Sequence, residues 1–352
     1  LLLLNSSHIK PRFFFPLFKS LKAQDVFFML LAPLLLFFPL FLKKILWLQK
    51  KGPWFLLLLI LLFSLFASFF FSLKPSQFDP FSYQQIAQDM QKGEWALFPL
   101  IPFGENQNRI AEASQPPTFF LKEKKPSQAF HLLGTDTNGR DVLARMVYGS
   151  QISMSIGFVA VGIYVLIGIF LGALAGYYGG WTDQVISRFL EIMICFPVFF
   201  LILTVMAFLK PCIFNIMVII GLTGWPGIAR LMRGEFLNLI NREFVLAARS
   251  LGASDFRIIF YHILPNGITP IIISATFGIA GAILTESALS FLGFGVPQPT
   301  ASWGDLLNNG RNDIYGSWWL TVFPGLAIFL TVTAFNLMGE TLRDIFDPRL
   351  RG

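Results

Sequence analysis

Six long apolar runs, uncharged apart from Glu286 near the end of the fifth, alternate with charged segments along most of this chain. The runs lie at 53–73, 153–175, 192–209, 211–229, 268–289 and 316–338. About 20 helical residues, each rising about 1.5 Å, cross the roughly 30 Å hydrocarbon core of a bilayer. Because the runs are unbroken and do not alternate with polar residues at every second position, they are typical of helices. The pattern therefore predicts an all-α integral membrane protein with six transmembrane helices.

Hydrophobic residues also fill part of the first segment, 1–46, but there the pattern is weaker. The run at 26–42 contains Pro33 and Pro39, and basic residues flank it on both sides. Positive charge at both ends is unfavourable for a membrane-crossing helix. A signal peptide is not expected, because another hydrophobic run follows in place of a small-residue cleavage site. Segment 1–46 is therefore an uncertain hydrophobic extension, open to an extra N-terminal helix or to a start at Met29.

The distribution of basic residues predicts the orientation of the helices. Lys50 and Lys51 precede the first run, and further basic residues concentrate in segment 230–266 and after 338. Since Lys and Arg accumulate on cytoplasmic loops, both termini and segment 230–266 are expected in the cytoplasm. The polar stretch 74–147 is then a periplasmic insert.

The insert is expected to end in an amphipathic helix that begins at Asp141 and carries Leu143, Met146 and Val147 on one side. Beyond the fifth run, segment 290–310 is rich in Gly and Pro and is expected to form an external loop. The whole chain then divides into an extension at 1–46, a first helix with its insert at 47–147, a five-helix core at 148–345 and a cytoplasmic tail at 346–352.

Composition supports a membrane protein and weakens other classes. Of the 352 residues, 55% are hydrophobic and 13% are charged, whereas a soluble domain carries about 25% charged residues. Charges on cytoplasmic loops explain the net charge of +7 without a nucleic-acid partner. Cys195 and Cys212 lie in or beside apolar runs, so a disulfide is not expected, and three scattered histidines do not predict a metal site.

Three glycines recur at every fourth position of the second run. Gly168, Gly172 and Gly176 would share one helix face. A smooth face of this kind allows two helix backbones to approach closely in lipid. The alternative is that glycine is simply commoner in membrane helices than in soluble ones.

Segment 230–266, between the fourth and fifth runs, reads as two short helices separated by a break. The first covers 243–251 and ends at Gly252, while Ser254 and Asp255 are suited to cap the free amides of the second. Ala247, Ala248 and Gly252 give the first helix a small-residue surface. Such a surface lets another protein come close, so we expect a docking helix on the cytoplasmic face, the alternative being a purely structural loop.

One carboxylate, Glu286, lies near the outer end of the fifth run. Carboxylates inside membranes usually face a cavity or a partner. Glu286 could line a path or gate across the membrane, or it could form a structural hydrogen bond with the loop at 290–304, which is the favoured role. No catalytic residue is expected, because the chain offers only isolated serines with His131 and His262 at the surface.

Five motifs resemble one known family. They are HLLGTDTNGRDVLARMVYG, GYYGGWTDQVISRFLEI, AARSLGASDFRIIFYHILPN, ESALSFLGFGVPQPTASWG and NLMGETLRDIFDPRLRG. In this order they resemble the permease subunits of bacterial ABC importers for peptides, the oligopeptide/dipeptide C-type family. The resemblance covers about residues 131–352. The segment WALFPLIPFG at 95–104 is similar to the subgroup for larger or microcin-like peptides.

The resemblance implies a type I ABC importer permease fold in the bacterial inner membrane. It implies a heterodimer with a second permease subunit, two ATPase subunits that bind ATP and Mg²⁺, and a periplasmic peptide-binding protein. This chain would bind no cofactor itself, and it lacks the GxxxxGK[ST] sequence of a nucleotide-binding loop.

The central segment is similar to the family's ATPase-coupling motif, which is Glu-Ala-Ala, three residues, Gly and a later Leu-Pro. Leu246 stands at the position of the Glu, and Glu243 one turn earlier is not assumed to replace it. The residues expected to couple to the ATPase are Glu243, Leu246, Ala247, Ala248, Gly252, Ser254 and Asp255.

Three other functions stay open at this point. An importer for another solute, such as nickel or glutathione, would share the same core motifs. A channel would conduct without ATPase partners. A membrane-embedded enzyme would need a nucleophile and base, or metal ligands, within the spans.

Overall fold

A computed structural model describes residues 13–14, 95–96, 101, 103–118, 130–311 and 313–346. The chain forms two compact units, Leu1–Phe103 and Gly104–Gly352. In the first unit, strand β1 (Phe13–Phe14) pairs in parallel with strand β2 (Trp95–Ala96). The predicted first span at 53–73 and the run at 26–42 lie outside the described residues.

The second unit is helical wherever it has regular structure among the described residues. After a 3₁₀ turn at Ile110–Glu112, helix α1 runs over Val142–Tyr178 without a break. The Asp141 side chain caps α1 by accepting a hydrogen bond from the Ala144 amide at 2.7 Å. The predicted amphipathic helix and the second span are therefore one helix. With 37 residues it is about 55 Å long, longer than a bilayer is thick.

The apolar side expected for the amphipathic part, at Leu143, Met146 and Val147, is not the most buried side of the helix. Val142, Ala144 and Arg145 are buried, whereas Val147 is exposed. The helix face that carries Arg145 is buried because Arg145 forms ion pairs with Asp136 and Asp305. The hydrophobic pattern alone did not reveal these partners.

The predicted third span at 192–209 is two helices. Helix α2 covers Gly180–Cys195 and helix α3 covers Val198–Phe208, with a bend of 81° between them. The break falls at Pro197, whose ring and missing amide hydrogen disfavour a continuous helix. On α2, Arg188 and Glu191 form an ion pair at 2.7 Å.

Helix α4 covers Ile213–Leu239 and extends well beyond the predicted end of the fourth span at 229. Its added part carries Arg233, which binds Asp183 of α2 through two hydrogen bonds. Segment 230–266 is therefore not a loop throughout, because its first third continues the transmembrane helix.

The two short helices predicted after α4 are present. Helix α5 covers Glu243–Ser250 and helix α6 covers Asp255–Arg257, with Gly252 between them at φ +78°. A π-helical turn at Ile258–Ile263 and helix α7 (Leu264–Gly267) lead into helix α8 (Thr269–Phe291). The expected capping by side chains is absent at Ser254, which donates or accepts no cap hydrogen bond at α6.

The predicted external loop at 290–310 contains a helix, α9 (Trp303–Arg311). The last helix, α10 (Trp319–Phe346), continues past the predicted end of the span at 338, and residues 347–352 of the predicted tail lie outside the described ones. Within the described residues, four helices are long and apolar enough to cross a membrane, or five if α2 and α3 count as one bent span. A helical architecture with membrane-length apolar helices is thus confirmed for the described part of the second unit, whereas strands β1 and β2 of the first unit depart from the all-α prediction.

One hydrophobic cluster fills the centre of the bundle. It includes Ile156 of α1, Met232 and Phe236 of α4, and Ile283 of α8, all fully buried. A smaller cluster of Val142, Leu306, Trp319 and Leu320 closes the end of the bundle where α1 begins. The opposite end, where α1 finishes, carries α5 and α6.

Candidate functional site

Helix α5 lies on the surface and is anchored by one side only. Val245 is fully buried and Ala248 is 8% exposed, and Val245 belongs to the central hydrophobic cluster. These two residues are three positions apart and therefore share the inner face of the helix. The prediction placed Ala248 on the outward small-residue surface, and this part was wrong.

The outer face of α5 and the following turn are open to solvent. Glu243, Leu246, Ala247, Ser254 and Asp255 are all exposed. At Gly252 an added Cβ atom would meet nothing within 4 Å. Several large apolar side chains of this segment are exposed as well, namely Phe244, Leu246, Leu251, Phe256, Phe260 and Tyr261. Exposed apolar residues concentrated on one short segment are typical of a protein interface.

Leu246 therefore fits an apolar contact better than a polar one. It stands where the related coupling motif has Glu, and its side chain is 46% exposed. Glu243 is also exposed. It is the first residue of α5, and a carboxylate at that position stabilises the helix through the partial positive charge of the helix N-terminus.

The three spaced glycines lie where α1 meets α4. A Cβ atom on Gly168 would come within 2.6 Å of Ile228, one on Gly172 within 2.5 Å of the Ala229 carbonyl oxygen, and one on Gly176 within 2.5 Å of Phe236. Each distance is shorter than a van der Waals contact. Close approach of the two backbones thus requires glycine at all three positions.

Glu286 is fully buried near the end of α8. Its carboxylate accepts hydrogen bonds from the Ser290 hydroxyl at 2.7 Å and from the Ser153 hydroxyl of α1 at 3.3 Å. The Trp303 amide donates in turn to the Ser153 oxygen at 3.3 Å, and the Val296 amide donates to the Ser290 oxygen at 3.3 Å. The carboxylate therefore connects α8, α1 and the segment after α8 through hydrogen bonds. This geometry fits a structural role for Glu286.

Sequence reasoning missed a buried ionic network where α1 begins. Asp136 accepts hydrogen bonds from the Arg140 side chain at 2.6 Å and from the Asn138 and Arg140 amides at 2.9 Å. Arg145 binds Asp305 at 2.7 Å and lies 3.6 Å from Asp136. The sequence offered one signal for this network, which was Arg145 in a helix that leads into a membrane span. Charged side chains in such helices are usually paired.

His131 belongs to the same end of the bundle. Its ring nitrogens lie 2.7 Å from an Asp141 carboxylate oxygen and 3.1 Å from a Glu112 carboxylate oxygen. Burial of the imidazole lowers its pKa, but the hydrogen bonds to the carboxylates of Asp141 and Glu112 outweigh burial and leave the pKa of His131 above its usual value. His131 was expected at the surface, and it is only 2% exposed.

At the opposite end, a second set of polar contacts was also missed. The Tyr177 hydroxyl of α1 donates a hydrogen bond to Asp255 at 2.6 Å, and Arg249 lies over the Tyr177 ring. A cleft of about 630 Å³ lies nearby, lined by residues of α2 and by Arg233. Within the described ranges, no group of three His, Cys, Asp or Glu residues could hold a metal ion.

Comparison with known proteins gives the family. Residues 168–352 match the family described as the binding-protein-dependent transport system inner membrane component. The dipeptide transport system permease protein DppC of Alkalihalophilus pseudofirmus is 43% identical over 63% of this chain and 73% of its own length. The glutathione transport system permease protein GsiD of Pectobacterium atrosepticum is 42% identical over 64% of this chain and 75% of its own length.

A third relative is the oligopeptide transport system permease protein OppC of Haemophilus influenzae. It is 42% identical over 64% of this chain and 72% of its own length. Together with the membrane-length apolar helices, these matches identify the chain as a membrane-embedded transport permease. The chain belongs to the family of inner membrane components of binding-protein-dependent transport systems.

Proposed function

We propose that this chain is one permease subunit of an ATP-driven importer for oligopeptides or dipeptides in the bacterial inner membrane. In this family the ATPase is a separate subunit, so the chain supplies part of the pathway and no catalytic group. The observation that carries the proposal is helix α5, which is exposed on its outer face and anchored inward by Val245 and Ala248. Relatives named for dipeptide and oligopeptide transport support the choice of substrate.

Helix α5 would bind an ATPase subunit through its exposed apolar residues. Leu246 and Ala247 on α5, with Gly252 after it, would enter a cleft on that subunit. Three residues separate the end of α4 at Leu239 from the start of α5 at Glu243. Because α4 is one continuous helix, a displacement of α5 would tilt α4 as a rigid body. ATP and Mg²⁺ would be bound by the ATPase subunits alone.

The remaining partners follow from the two ends of the bundle. The end with α5 and α6 would face the cytoplasm, and the end with Arg145 and α9 would face the periplasm and the peptide-binding protein. Exposed apolar side chains of α10, such as Phe329, Leu330 and Leu337, suit lipid or the second permease subunit of a heterodimer. The predicted span at 53–73 would complete six transmembrane helices.

A substitution at Gly252 tests the coupling role. Gly252→Trp would place a large side chain in the space that the ATPase subunit is proposed to fill. We expect the complete importer to lose transport and transport-linked ATP hydrolysis while the permease still inserts. Gly293→Trp is the matched control, because Gly293 also has a positive φ, +89°, and open space around its Cβ position. Normal uptake with Gly252→Trp would refute the proposal.

Crosslinking tests the contact directly. Cysteine introduced at exposed Ala247 is expected to crosslink to an ATPase subunit, whereas cysteine at buried Ala248 is not.

The relative named for glutathione transport makes glutathione the second candidate substrate. Mass spectrometry of the ligand that copurifies with the cognate binding protein discriminates a peptide mixture from glutathione.

A further inference from the structure

Tyr177 contacts both α5 and α6, the two short helices of residues 243–257, which we call the coupling segment. It lies in the last turn of α1, and its hydroxyl donates a hydrogen bond to the Asp255 carboxylate at 2.6 Å. Asp255 is the first residue of α6. The guanidinium carbon of Arg249, in the last turn of α5, lies 6.0 Å from the centre of the Tyr177 ring. One side chain of α1 therefore holds the residues on both sides of Gly252.

These contacts are stronger than ordinary packing. A hydrogen bond to a carboxylate is shorter and about twice as strong as one between neutral groups. The Tyr177 ring is 8% exposed, so the cation–π contact with Arg249 is partly shielded from water. The preceding residue, Gly176, packs against Phe236 of α4, which fixes the end of α1 close to the coupling segment.

Helix α1 connects Tyr177 to the far end of the bundle. It continues without a break from Tyr178 back to Val142. Near its other end, Ser153 binds Glu286 and Arg145 binds Asp305. An unbroken helix held near both ends by polar contacts transmits displacement along its axis, because packed interiors are nearly incompressible.

We propose that Tyr177 is a positioning residue that transmits movement of the coupling segment to α1. The inference rests on the proposed function, in which the ATPase subunit displaces α5, and it adds a path that the covalent connections to α4 and α8 do not provide. Through Tyr177 the displacement would reach α1 and, through Ser153 and Arg145, the residues around Glu286 and Asp305.

The test compares variants in the complete importer, reconstituted with its ATPase subunits and binding protein. Tyr177→Phe keeps the ring and removes only the hydroxyl. We expect insertion and basal ATP hydrolysis to persist, while the number of peptides imported per ATP falls by about tenfold, the factor for losing one hydrogen bond to a charged group. Tyr178→Phe, one residue later at an exposed position, is the matched control and should have no effect.

Variants of Asp255 separate transmission from general stability. Asp255→Ala should lower the number of peptides imported per ATP as much as Tyr177→Phe does. Asp255→Asn keeps an acceptor oxygen and should lower this number less. The double variant Tyr177→Phe/Asp255→Ala should be no worse than either single variant, because both remove the same hydrogen bond. Additive losses would overturn the inference.

Three further outcomes decide between this inference, the proposed function and a purely structural hydrogen bond. If Tyr177→Phe imports peptide normally while Gly252→Trp is inactive, the path through Tyr177 is refuted and the docking role of α5 stands. If both variants import normally, the proposed function fails. If Tyr177→Phe and Asp255→Ala both fail to assemble, the hydrogen bond is structural and the inference is overturned as well.

Discussion

The guanidinium of Arg145 binds the carboxylate of Asp305 at 2.7 Å, across 160 residues of sequence. Arg145 also donates to the Glu105 carbonyl oxygen at 3.0 Å. Both side chains are buried, since Arg145 is 0% exposed and Asp305 is 5% exposed. The pair joins the first turns of α1 to α9, and it fixes the end of the bundle that sequence reasoning treated as a surface helix and a loop.

Replacement of Arg145 should destabilise the protein strongly. Arg145→Met leaves the Asp305 and Asp136 carboxylates buried with fewer partners, and breaking a buried pair from one side costs about 3–5 kcal/mol. We expect a clearly lower melting temperature for the purified protein in detergent, measured by intrinsic fluorescence.

The exposed pair Arg188–Glu191 provides the control for this prediction. Its side chains are 80% and 56% exposed, so Arg188→Met should leave the melting temperature nearly unchanged. The double variant Arg145→Met/Asp305→Leu should recover part of the loss, because it removes both charges together. Equal melting temperatures for Arg145→Met and Arg188→Met would contradict a stabilising role for the buried Arg145–Asp305 ion pair.

Glu286→Gln should leave peptide uptake close to normal. Ser290 and Ser153 bind different oxygens of the carboxylate. The amide keeps an acceptor oxygen for one hydroxyl and presents its NH2 group to the other, which can rotate and accept. Glu286→Leu removes both acceptors and leaves buried hydroxyls without them, at a cost of about 1–3 kcal/mol for each unsatisfied group. Uptake and thermal stability of the two variants are the measurements. A loss of uptake in Glu286→Gln without loss of stability would instead place Glu286 on the pathway.

Gly172→Ala should separate α1 from α4. The added methyl group would lie 2.5 Å from the Ala229 carbonyl oxygen, which belongs to the α4 backbone and cannot turn away. Overpacking of this kind costs about 1–3 kcal/mol. Gly162→Ala on the same helix meets nothing within 4 Å and should be neutral or slightly stabilising. Thermal unfolding of both variants in detergent tests the difference, and equal stabilities would count against tight packing at Gly172.

Protein stability should fall as the pH rises through the folded-state pKa of His131. This pKa is raised above the ordinary value of 6.5 despite burial, owing to hydrogen bonds with Asp141 and Glu112. A raised pKa means that the protonated form stabilises the fold, fully below pH 6.5 and no longer above the folded-state pKa. Arg109, which pairs with Glu112 at 3.2 Å, is a further charged group of this cluster.

Melting temperatures between pH 5.5 and 9 would reveal the dependence, and His131→Gln should flatten it. His262, which lies in the π-helical turn at the opposite end of the bundle, supplies the control variant His262→Gln. An identical pH profile in His131→Gln and in the unmodified protein would argue against the His131 cluster.

Several features of the fold could be predicted from the sequence because they depend on neighbours along the chain. Gly252 follows the end of α5, as predicted. The break between α2 and α3 at Pro197 was not predicted, because the sequence suggested one continuous span there. The glycines at 168, 172 and 176 recur at helical spacing, so their common face followed from periodicity. The direction in which Ala248 points did not follow, since it depends on what α5 packs against.

By itself, the sequence determined a helical membrane protein with a short helix between two spans, whose docking role stays a proposal. Hydrophobic length, charge distribution and glycine spacing are properties of contiguous residues, and each has a local physical cause. The tertiary structure alone decided that Arg145 meets Asp305, that Glu286 meets Ser153 and that Tyr177 meets Asp255. Those pairs join residues far apart in the chain, and only the packing of α1 against its neighbours brings their polar groups close enough to replace the water they lose on burial.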